Sequence, residues 1–368
     1  MDSRRILKNM DWWIVAAVVL LMLCGLGLIK SATHSFSSTT GEYWHVQKQS
    51  IFMAVGIAMV AVSMHFDYRV LKKFAAGLYI FNAALLLFVM FFGHTQLGAQ
   101  RWIQIGSLTF QPSEFAKVIL IICLAAFMEK RIEWLESLKD YAVVFLYIFI
   151  PFILVMKQPD LGTALTFMAI LIGMVFVSGF KFKWFFSLGV TFVFMLPLLW
   201  NFLHDYQKNR IRVFLNPELE PFGSGYHVIQ SKIAIGSGGF FGKGWLAGTQ
   251  SQLNFLPENH TDFIFAVACE EFGFIGAALI IMLYLIIIWR GIVIAINADD
   301  DFGTLLAVGI VSMFMFHVMV NIGMTAGIMP VTGVPLPFLS YGVSSLITNL
   351  ILTALLLNIR LHEQKLQF

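Results

Sequence analysis

The sequence predicts an all-α integral membrane protein with about ten transmembrane helices and a large extracytoplasmic loop between helices 7 and 8. Hydrophobic residues make up 59% of the chain and charged residues only 12%, whereas an ordinary soluble domain carries about 25% charged residues. Apolar runs approaching the roughly 20 residues that cross a bilayer recur along the chain. They are too many for a single anchor, so we predict one polytopic domain over residues 1–368.

Ten apolar runs are candidate membrane spans, although several are short or interrupted. The weakest is Ser113–Met128, because it contains Glu114 and Lys117. No internal repeat is evident, so nothing favours an inverted-repeat transporter. In chain order the runs are Trp12–Ile29, Ser50–Met64, Phe74–Phe92, Ser113–Met128, Tyr141–Met156, Thr163–Phe180, Trp184–Leu203, Phe263–Trp289, Phe302–Thr325 and Ser345–Ile359.

Basic residues predict the orientation, because cytoplasmic loops carry an excess of Lys and Arg. With a cytoplasmic N-terminus, the inside segments hold Arg4, Arg5, Lys8, Arg69, Lys72, Lys73, Lys130, Arg131, Lys139, Lys181, Lys183, Arg290, Arg360 and Lys365. The short outside loops then hold only Lys30, Lys48, Arg101 and Lys157. Both termini are therefore predicted to be cytoplasmic in the cell (inner) membrane. Residues 204–262 form the extracytoplasmic loop, and the other polar loops share its face.

Two classes of function are disfavoured by composition. The net charge of +3 is small for a chain of this length, so no nucleic-acid partner is predicted. Cys24, Cys123 and Cys269 lie far apart in apolar runs without CxxC or Cys/His spacing, which predicts neither a disulfide framework nor a zinc site. No cofactor is predicted, and the need for a divalent metal stays open.

Asp262 ends a glycine-rich polar stretch, Gly236–Asp262, and is followed at once by an apolar run that begins at Phe263. Partial burial at the rim of a span raises the pKa of a carboxylate toward a value useful to a general base. A helix cap is an equally ordinary reading of the position. Polar Glu258 and His260 nearby favour a functional site, and a metal site built from these three residues is the less favoured alternative.

A second polar cluster joins Arg101 and Trp102 to the following motif Gln111–Lys117. Pro112 predicts a helix start, with Ser113 as a candidate cap. Glu114 and Lys117 lie on one helical face and can form an ion pair, which is either structural or the wall of a polar cavity. Arg101 and Lys117 offer cations to a phosphate, and Trp102 is either an interfacial aromatic or a surface for a sugar ring.

Further candidates lie in the remaining outer loops. Asp160 stands before the span that begins at Thr163, where capping is the more ordinary role. Arg210 and Arg212 form a candidate anion-binding pair, although a face in contact with lipid headgroups explains them equally well. Lys243 lies among glycines whose backbone N–H groups can approach a pyrophosphate, but a glycine-rich loop alone is a weak signal.

The segment Met329–Gly342 contains three prolines and two glycines, which predicts non-helical backbone. Such backbone is tolerated at membrane depth only against protein or a cavity. Ser340, Tyr341 and Ser344 supply polar groups there. We therefore predict a re-entrant or cavity-lining segment.

Taken together, these motifs resemble the SEDS family (shape, elongation, division and sporulation proteins), and the short N-terminal tail resembles its RodA branch more than its FtsW branch. The matching segments follow one another along nearly the whole chain, which makes the set specific. They are Arg101-Trp102, QPSEFAK at Gln111–Lys117, QPDLGTA at Gln158–Ala164, GSGGFFGKGW at Gly236–Trp245, FLPENHTDFIFA at Phe255–Ala266 and PVTGVPLPFLSYG at Pro330–Gly342.

The resemblance implies a ten-span peptidoglycan glycosyltransferase that polymerises lipid II, a disaccharide-pentapeptide on undecaprenyl pyrophosphate, during cell elongation and cell-shape maintenance. It implies an essential aspartate at Asp262 and sensitive positions at Trp102, Glu114, Lys117 and Asp160. It also implies a class B penicillin-binding protein as the crosslinking partner. On this reading Asp262 is the general base, and Arg101, Lys117, Arg210, Arg212 and Lys243 are the candidate cations for the pyrophosphate, with His260 and Ser340 as further substrate contacts.

Two other classes of function stay open from the sequence. A lipid II flippase predicts polar groups spread across the thickness of the membrane, whereas here they gather on one side. A non-catalytic scaffold for cell-wall synthases predicts tolerance to changes at Asp262. Formation of glycan from lipid II by the purified protein with its partner separates the three.

Overall fold

The computed structural model describes residues 6, 8–35, 43–96, 99–106, 108–132, 135, 138–202, 205–220 and 223–363. Arg4, Arg5 and Lys365, which entered the orientation argument, lie outside these residues. The first half of the chain forms α1 (Trp12–Ala32), α2 (Trp44–Ser63), α3 (Leu71–Phe92), β1 (His94–Gln96), β2 (Ala99–Ile105), β3 (Leu108–Phe110), α4 (Pro112–Glu129), α5 (Leu138–Met156) and α6 (Leu161–Val177).

The second half forms α7 (Phe182–Phe202), α8 (Asp205–Leu215), α9 (Ser224–Gly238), α10 (Thr249–Gln252), α11 (Ile264–Ile296), α12 (Asp301–Thr325) and α13 (Val343–Leu361). Single 3₁₀ turns at Tyr68–Val70 and Pro217–Leu219 precede α3 and follow α8. The predicted loop 204–262 therefore contains helices α8, α9 and α10. Its residues 204, 221 and 222 lie outside the described part of the chain.

Each of the ten predicted apolar runs falls on a helix, but the helices differ in their fitness to cross a membrane. Seven are long and apolar enough among the described residues: α1, α2, α3 with its preceding turn, α5, α11, α12 and α13. Helix α6 is apolar but shorter, and α4 carries Glu114, Lys117 and Glu129. The structure is thus a mostly helical, multi-pass membrane protein, and the count of ten spans stays a prediction.

The expectation of an all-α chain needs one correction, a three-stranded antiparallel sheet in the order β1-β2-β3. Strand β2 pairs His94 with Trp102 on one side and Ile103 with Phe110 on the other. Only short alternations mark it, Ile103-Gln104-Ile105 in β2 and Leu108-Thr109-Phe110 in β3, and three residues are a weak signal for a strand. The signal was missed because the segment was interpreted only as a connection between spans.

The core forms where α4, α12 and α13 pack together with α6 and the first part of α11. Helix α12 packs on α4, α6, α11 and α13, while α11 also packs on α1 and α9. Leu120, Leu306 and Leu352 are fully buried representatives of this core. Much of α12 and α13 is covered by protein rather than lipid, and polar side chains such as Asn321 and Asn358 bond backbone carbonyls inside the bundle.

Helix α11 is broken at Gly273, whose φ of 62° and ψ of −158° are non-helical. The break frees the carbonyls of Glu270 and Glu271 and the amides of Phe274 and Ile275. The turn at residues 239–244 binds all four, through Lys243 N and Gly244 N to the two carbonyls and through the carbonyls of Gly239 and Phe240 to the two amides, at 3.0–3.3 Å. A Cβ at Gly273 would lie 2.4 Å from Gly242 N, so the turn can pack against the break only because residue 273 has no side chain.

Candidate active site

A polar cavity of about 450 Å³ lies where the sheet, the helix ends and the non-helical segments meet. The predicted segment Met329–Gly342 is non-helical throughout and forms one wall, which confirms its assignment as cavity-lining. Ionisable and aromatic residues from most of the surrounding elements reach the cavity: Lys48, Arg101, Trp102, Glu114, Lys117, Asp160, Arg210, Glu258, Asp262, His317 and Tyr341.

Asp262 lies at the cavity wall just before α11. That helix begins at Ile264, with Phe263 at its cap position and no side-chain capping bond, so the alternative of a capping aspartate is wrong. The backbone of Gly333 runs beside the carboxylate, since a Cβ on Gly333 would stand 3.4 Å from Asp262 Oδ2. Among the described residues, no side chain or amide donates a hydrogen bond to this carboxylate, which leaves it available to a ligand.

The surroundings of Asp262 make it a weak acid. Burial is the largest cause and raises its pKa from 3.8 to about 6, with a further increase from the negative charges of Glu258 and Asp160. The guanidinium groups of Arg101 and Arg210 act in the opposite direction and lower the pKa. The carboxylate is therefore mostly ionised at neutral pH and still basic enough to accept a proton from a reacting hydroxyl.

Asp160 holds several elements of the cavity wall together. Its Oδ1 accepts from the amide of Thr163 at 3.2 Å and lies 3.5 Å from Arg101 Nη1. Its Oδ2 accepts from the hydroxyls of Ser113 and Thr163, both at 3.0 Å, and from Gln111 Nε2 at 3.2 Å. The capping role expected for Asp160 is confirmed, and the same carboxylate also orients Arg101.

Helix α4 begins at Pro112 as predicted, but Ser113 is not its cap. The cap position is Gln111, without a side-chain capping bond, and the Ser113 hydroxyl instead bonds Asp160. One turn deeper, Lys117 Nζ binds Glu114 Oε1 at 2.7 Å, and both side chains are almost completely buried. The predicted ion pair is confirmed, and it faces the cavity.

Three buried polar atoms around the cavity have no hydrogen-bond partner within the described structure: Arg101 Nε, Glu114 Oε2 and Thr332 Oγ1. Buried polar groups in native proteins are nearly always paired. These atoms supply one cationic donor, one anionic acceptor and one hydroxyl. The set suits a ligand that carries both negative charge and hydroxyl groups.

Two of the predicted cations lie elsewhere. Arg212 is exposed on α8, with its guanidinium 5.9 Å from the ring centre of Trp200. Lys243 binds the fully buried Glu270 at 2.8 Å and does not line the cavity. The structure therefore brings Arg101, Lys117 and Arg210 to the cavity and leaves Arg212 and Lys243 outside it.

His260 and Ser340 do not line the cavity, and they contact residues of its wall instead. The His260 ring contacts the rings of His45 and Tyr341, with centroids 5.2 and 5.7 Å apart. Burial is the largest cause that lowers the pKa of His260, followed by the proximity of His45, so this imidazole is neutral at pH 7. Ser340 is buried, and its hydroxyl bonds backbone groups only.

The structure also adds residues that the sequence interpretation missed. His317 and Asn321 lie on α12 inside an apolar run, and both are fully buried. His317 reaches the cavity floor, where its ring nitrogens face Pro335 O at 3.3 Å and Thr166 Oγ1 at 3.4 Å. Polar residues within a candidate span were the available signal for both. Lys48 lines the cavity from α2, where it was counted only as a loop charge.

The alternative of a metal cluster does not match the geometry. Within the described ranges, no group of three or more His, Cys, Asp or Glu side chains is arranged to hold a metal ion. The Glu258 carboxylate binds the Thr261 hydroxyl at 3.0 Å, and the His260 ring packs among aromatic rings.

Comparison with known proteins gives a consistent set of relatives. The family model of the FtsW, RodA and SpoVE proteins, described as cell cycle protein, matches residues 11–365. The peptidoglycan glycosyltransferase MrdB of Escherichia coli K12 is 42% identical over 352 residues, covering 95% of this chain and 94% of the relative. The peptidoglycan glycosyltransferase RodA of Treponema pallidum is 33% identical over 431 residues, covering 96% and 98%.

Solved structures share the fold. The crystal structure of RodA from Thermus thermophilus superposes with a TM-score of 0.72 at 28% identity, covering 97% of this chain and 98% of that one. A chain from a structure that describes the coordination of polymerization and crosslinking by a peptidoglycan synthase complex gives a TM-score of 0.80 at 32% identity, covering 96% and 99%.

Proposed function

We propose that the cavity around Asp262 polymerises lipid II into glycan strands. The proposal starts from the membership of the chain in the FtsW, RodA and SpoVE family and from its activity as a peptidoglycan glycosyltransferase. The single observation that carries the proposal is the position of Asp262. Its carboxylate has no hydrogen-bond donor from the described residues and shares a partly enclosed polar cavity with Arg101 and Arg210, whose charges act on it. That combination suits a base acting beside an anionic leaving group.

The topology that we propose has ten spans, with both termini in the cytoplasm and the cavity on the outer face of the cytoplasmic membrane. The excess of Lys and Arg in the segments assigned to the inside supports this orientation. Helices α4, α6 and α7 are then the three spans added to the seven that meet the length and composition of a span. The polar side chains of α4 are covered by the bundle rather than by lipid, which makes its crossing physically acceptable.

In the reaction, Asp262 accepts the proton of the 4-hydroxyl of the acceptor sugar. The hydroxyl oxygen forms a bond to the anomeric carbon of the lipid-linked growing chain, and the bond from that carbon to the pyrophosphate oxygen breaks. Undecaprenyl pyrophosphate leaves with the electron pair, so a single displacement converts an α-linked donor into a β-1,4 product. The proton stays on Asp262 until water removes it.

The pyrophosphate needs cations more than it needs a strong acid. Arg101 and Arg210 are both close enough to Asp262 to lower its pKa, and Lys117 faces the same cavity. Asp160 orients Arg101, and Glu114 orients Lys117. The ring of Trp102 offers a stacking surface to a sugar. The unpartnered Arg101 Nε and Thr332 Oγ1 supply donors for phosphate and hydroxyl oxygens.

The partner that we propose is a class B penicillin-binding protein, which crosslinks the glycan while this chain extends it, and the setting is cell elongation. Support comes from the similar chain found in a peptidoglycan synthase complex and from the identity with MrdB and RodA. No metal or other cofactor is assigned a role in the proposed steps.

The test is reconstitution of the purified protein with its transpeptidase partner and lipid II, followed by electrophoresis of the glycan. Asp262→Asn keeps the shape of the side chain but loses the base, so we expect no polymer while the variant stays folded and still binds lipid II. Asp205→Asn, on an exposed residue of α8, is the matched control and should polymerise like the parent chain. Glycan from Asp262→Asn at the parent rate would remove Asp262 from the mechanism.

A further inference from the structure

The loop that carries Asp262 is held through three consecutive backbone carbonyls. His260 O accepts from the amide of Tyr341 at 2.9 Å. Thr261 O accepts from Ser340 Oγ at 2.7 Å, and Asp262 O accepts from Asn321 Nδ2 at 2.9 Å. Two of the three donors are side chains, so two single residues govern the backbone from which the Asp262 carboxylate projects.

The same two side chains also bond the neighbouring segment Val334–Leu336. Asn321 uses its amide a second time and donates to Val334 O at 2.8 Å. Ser340 Oγ accepts from the amide of Leu336 at 2.8 Å. Asn321 is fully buried on α12 and Ser340 is 5% exposed, so water does not compete for these bonds. Each side chain therefore joins the Asp262 loop to the segment whose Gly333 backbone runs beside the carboxylate.

We propose that Asn321 and Ser340 are positioning residues, which place the Asp262 carboxylate for proton transfer without touching the substrate. The proposal deepens the function proposed above and rests on it. Neither side chain lines the cavity, and the carboxylate itself receives no hydrogen bond from the described residues. Its place is thus set by its backbone, and a displacement of about 1 Å at a reacting group can cost about 100-fold in rate.

The position of the carboxylate also determines which charges act on it. Glu258 faces it from its own loop, Arg101 from β2, Asp160 from the start of α6 and Arg210 from α8. If the loop loosens, the carboxylate is hydrated more fully and its pKa returns toward the ordinary value of 3.8. A positioning role therefore predicts a change in the pH profile of polymerisation, which a loss of folded protein alone does not produce.

The experiment compares Asn321→Leu and Ser340→Ala with a conservative variant and a matched control. Ser340→Thr keeps the hydroxyl and should restore much of the activity. Asn358→Leu is the control, because Asn358 is buried on α13 and also donates to two backbone carbonyls, Ser63 O at 2.8 Å and Phe66 O at 2.7 Å, away from the cavity.

For Asn321→Leu and Ser340→Ala we expect kcat per folded protein to fall by about 100-fold, with a smaller change in KM and an acid limb of the pH profile displaced to lower pH. Asn358→Leu should lower thermal stability but keep kcat per folded protein and the midpoint of the acid limb. If Asn321→Leu and Ser340→Ala match Asn358→Leu in all three quantities, the two residues are structural only and the inference is overturned.

A second measurement does not depend on catalysis. In an Asp262→Cys chain, the rate of modification by a charged methanethiosulfonate reports the access of water to position 262. Adding Asn321→Leu should raise this rate roughly tenfold, as expected for a local opening, whereas adding Asn358→Leu should not. The chain with Asp262 intact measures the background from the native cysteines, of which Cys123 and Cys269 are buried.

The two proposals fail separately. Polymerisation by Asp262→Asn would refute the assigned base, yet the labelling rates would still test the hold on the loop. Unchanged labelling in Asn321→Leu, together with an inactive Asp262→Asn, would refute the positioning role and leave the proposed function standing.

Discussion

The pH dependence of polymerisation is the most direct consequence of the charges around Asp262. With a pKa of about 6, the carboxylate is about 90% ionised at pH 7 and about 10% ionised at pH 5, so the rate of a step that needs the ionised form falls about tenfold between these values. Glu258→Gln removes the neighbouring negative charge that raises this pKa and keeps an oxygen for the Thr261 hydroxyl. The acid limb should therefore move to lower pH.

The size of that displacement follows from the exposure of Glu258. This side chain is exposed to solvent, and exposed charges at short range interact by about 1 kcal/mol or less. Since about 1.4 kcal/mol corresponds to one pKa unit, the midpoint should move by less than about one unit. At pH 5 the variant should consequently be faster than the parent, and at pH 7 the two should be nearly equal.

The assay is single-turnover polymerisation of fluorescent lipid II from pH 4.5 to 8, with the transpeptidase partner present and the fraction of folded protein measured at each pH. Glu218→Gln, on an exposed residue after α8, is the matched control and should follow the parent profile. A parent rate that stays constant down to pH 5, or a Glu258→Gln profile displaced to higher pH, would refute the reasoning.

Three further predictions concern stability and the remaining cations. Asp262→Asn should stabilise the protein by about 1–2 kcal/mol at pH 7 and by less at pH 5, as measured by thermal unfolding. The pKa of the Asp262 carboxyl is raised to about 6 in the folded state, so its ionisation lowers the stability of the parent chain as pH rises through about 6, whereas asparagine does not ionise. Asp11→Ala removes the buried partner of Arg290 at 2.5 Å and should cost about 3 kcal/mol in unfolding free energy, whereas an unchanged melting temperature would contradict it. Lys243→Met should lower stability, because it removes the cationic partner of the buried Glu270 and leaves that carboxylate only the donors of the segment 249–251. The KM for lipid II should stay within about twofold, since Lys243 does not line the cavity.

Much of the fold is readable from the sequence because a membrane span has a strong and local signal. Each apolar run became a helix, and Pro112 began α4 as its fixed φ predicts. The sheet was harder, because the alternation in β2 is short and lies between two spans. The break at Gly273 was not predicted, since the run around it is apolar throughout and nothing local shows that another segment supplies the missing hydrogen bonds.

The site was predictable where the function of a residue depends on its own chemistry. Asp262, Arg101, Asp160 and the pair Glu114–Lys117 meet at one cavity, as charged groups beside apolar spans suggested. Lys243 was misplaced because a lysine among glycines looks the same whether it faces a phosphate or a buried glutamate such as Glu270.

Asn321 and Ser340 were harder to interpret, because their importance comes from the backbone that they hold. The distance along the chain from Asn321 to the Asp262 loop conceals that contact. The Ser340 hydroxyl was expected to meet substrate, but in the fold it meets only Thr261 O and the Leu336 amide.

The turn that fills the break in α11 has a consequence for biosynthesis. Residues 239–244 leave the ribosome before Gly273 does, so they are available to dock when the two parts of α11 enter the membrane. Unpaired backbone groups in lipid cost several kcal/mol each, and within the described structure the four groups at the break bond this turn. We therefore expect the first part of α11 to reach its final packing only when residues 239–244 have docked at the break, so that maturation of the Asp262 loop is coupled to the docking of a neighbouring segment.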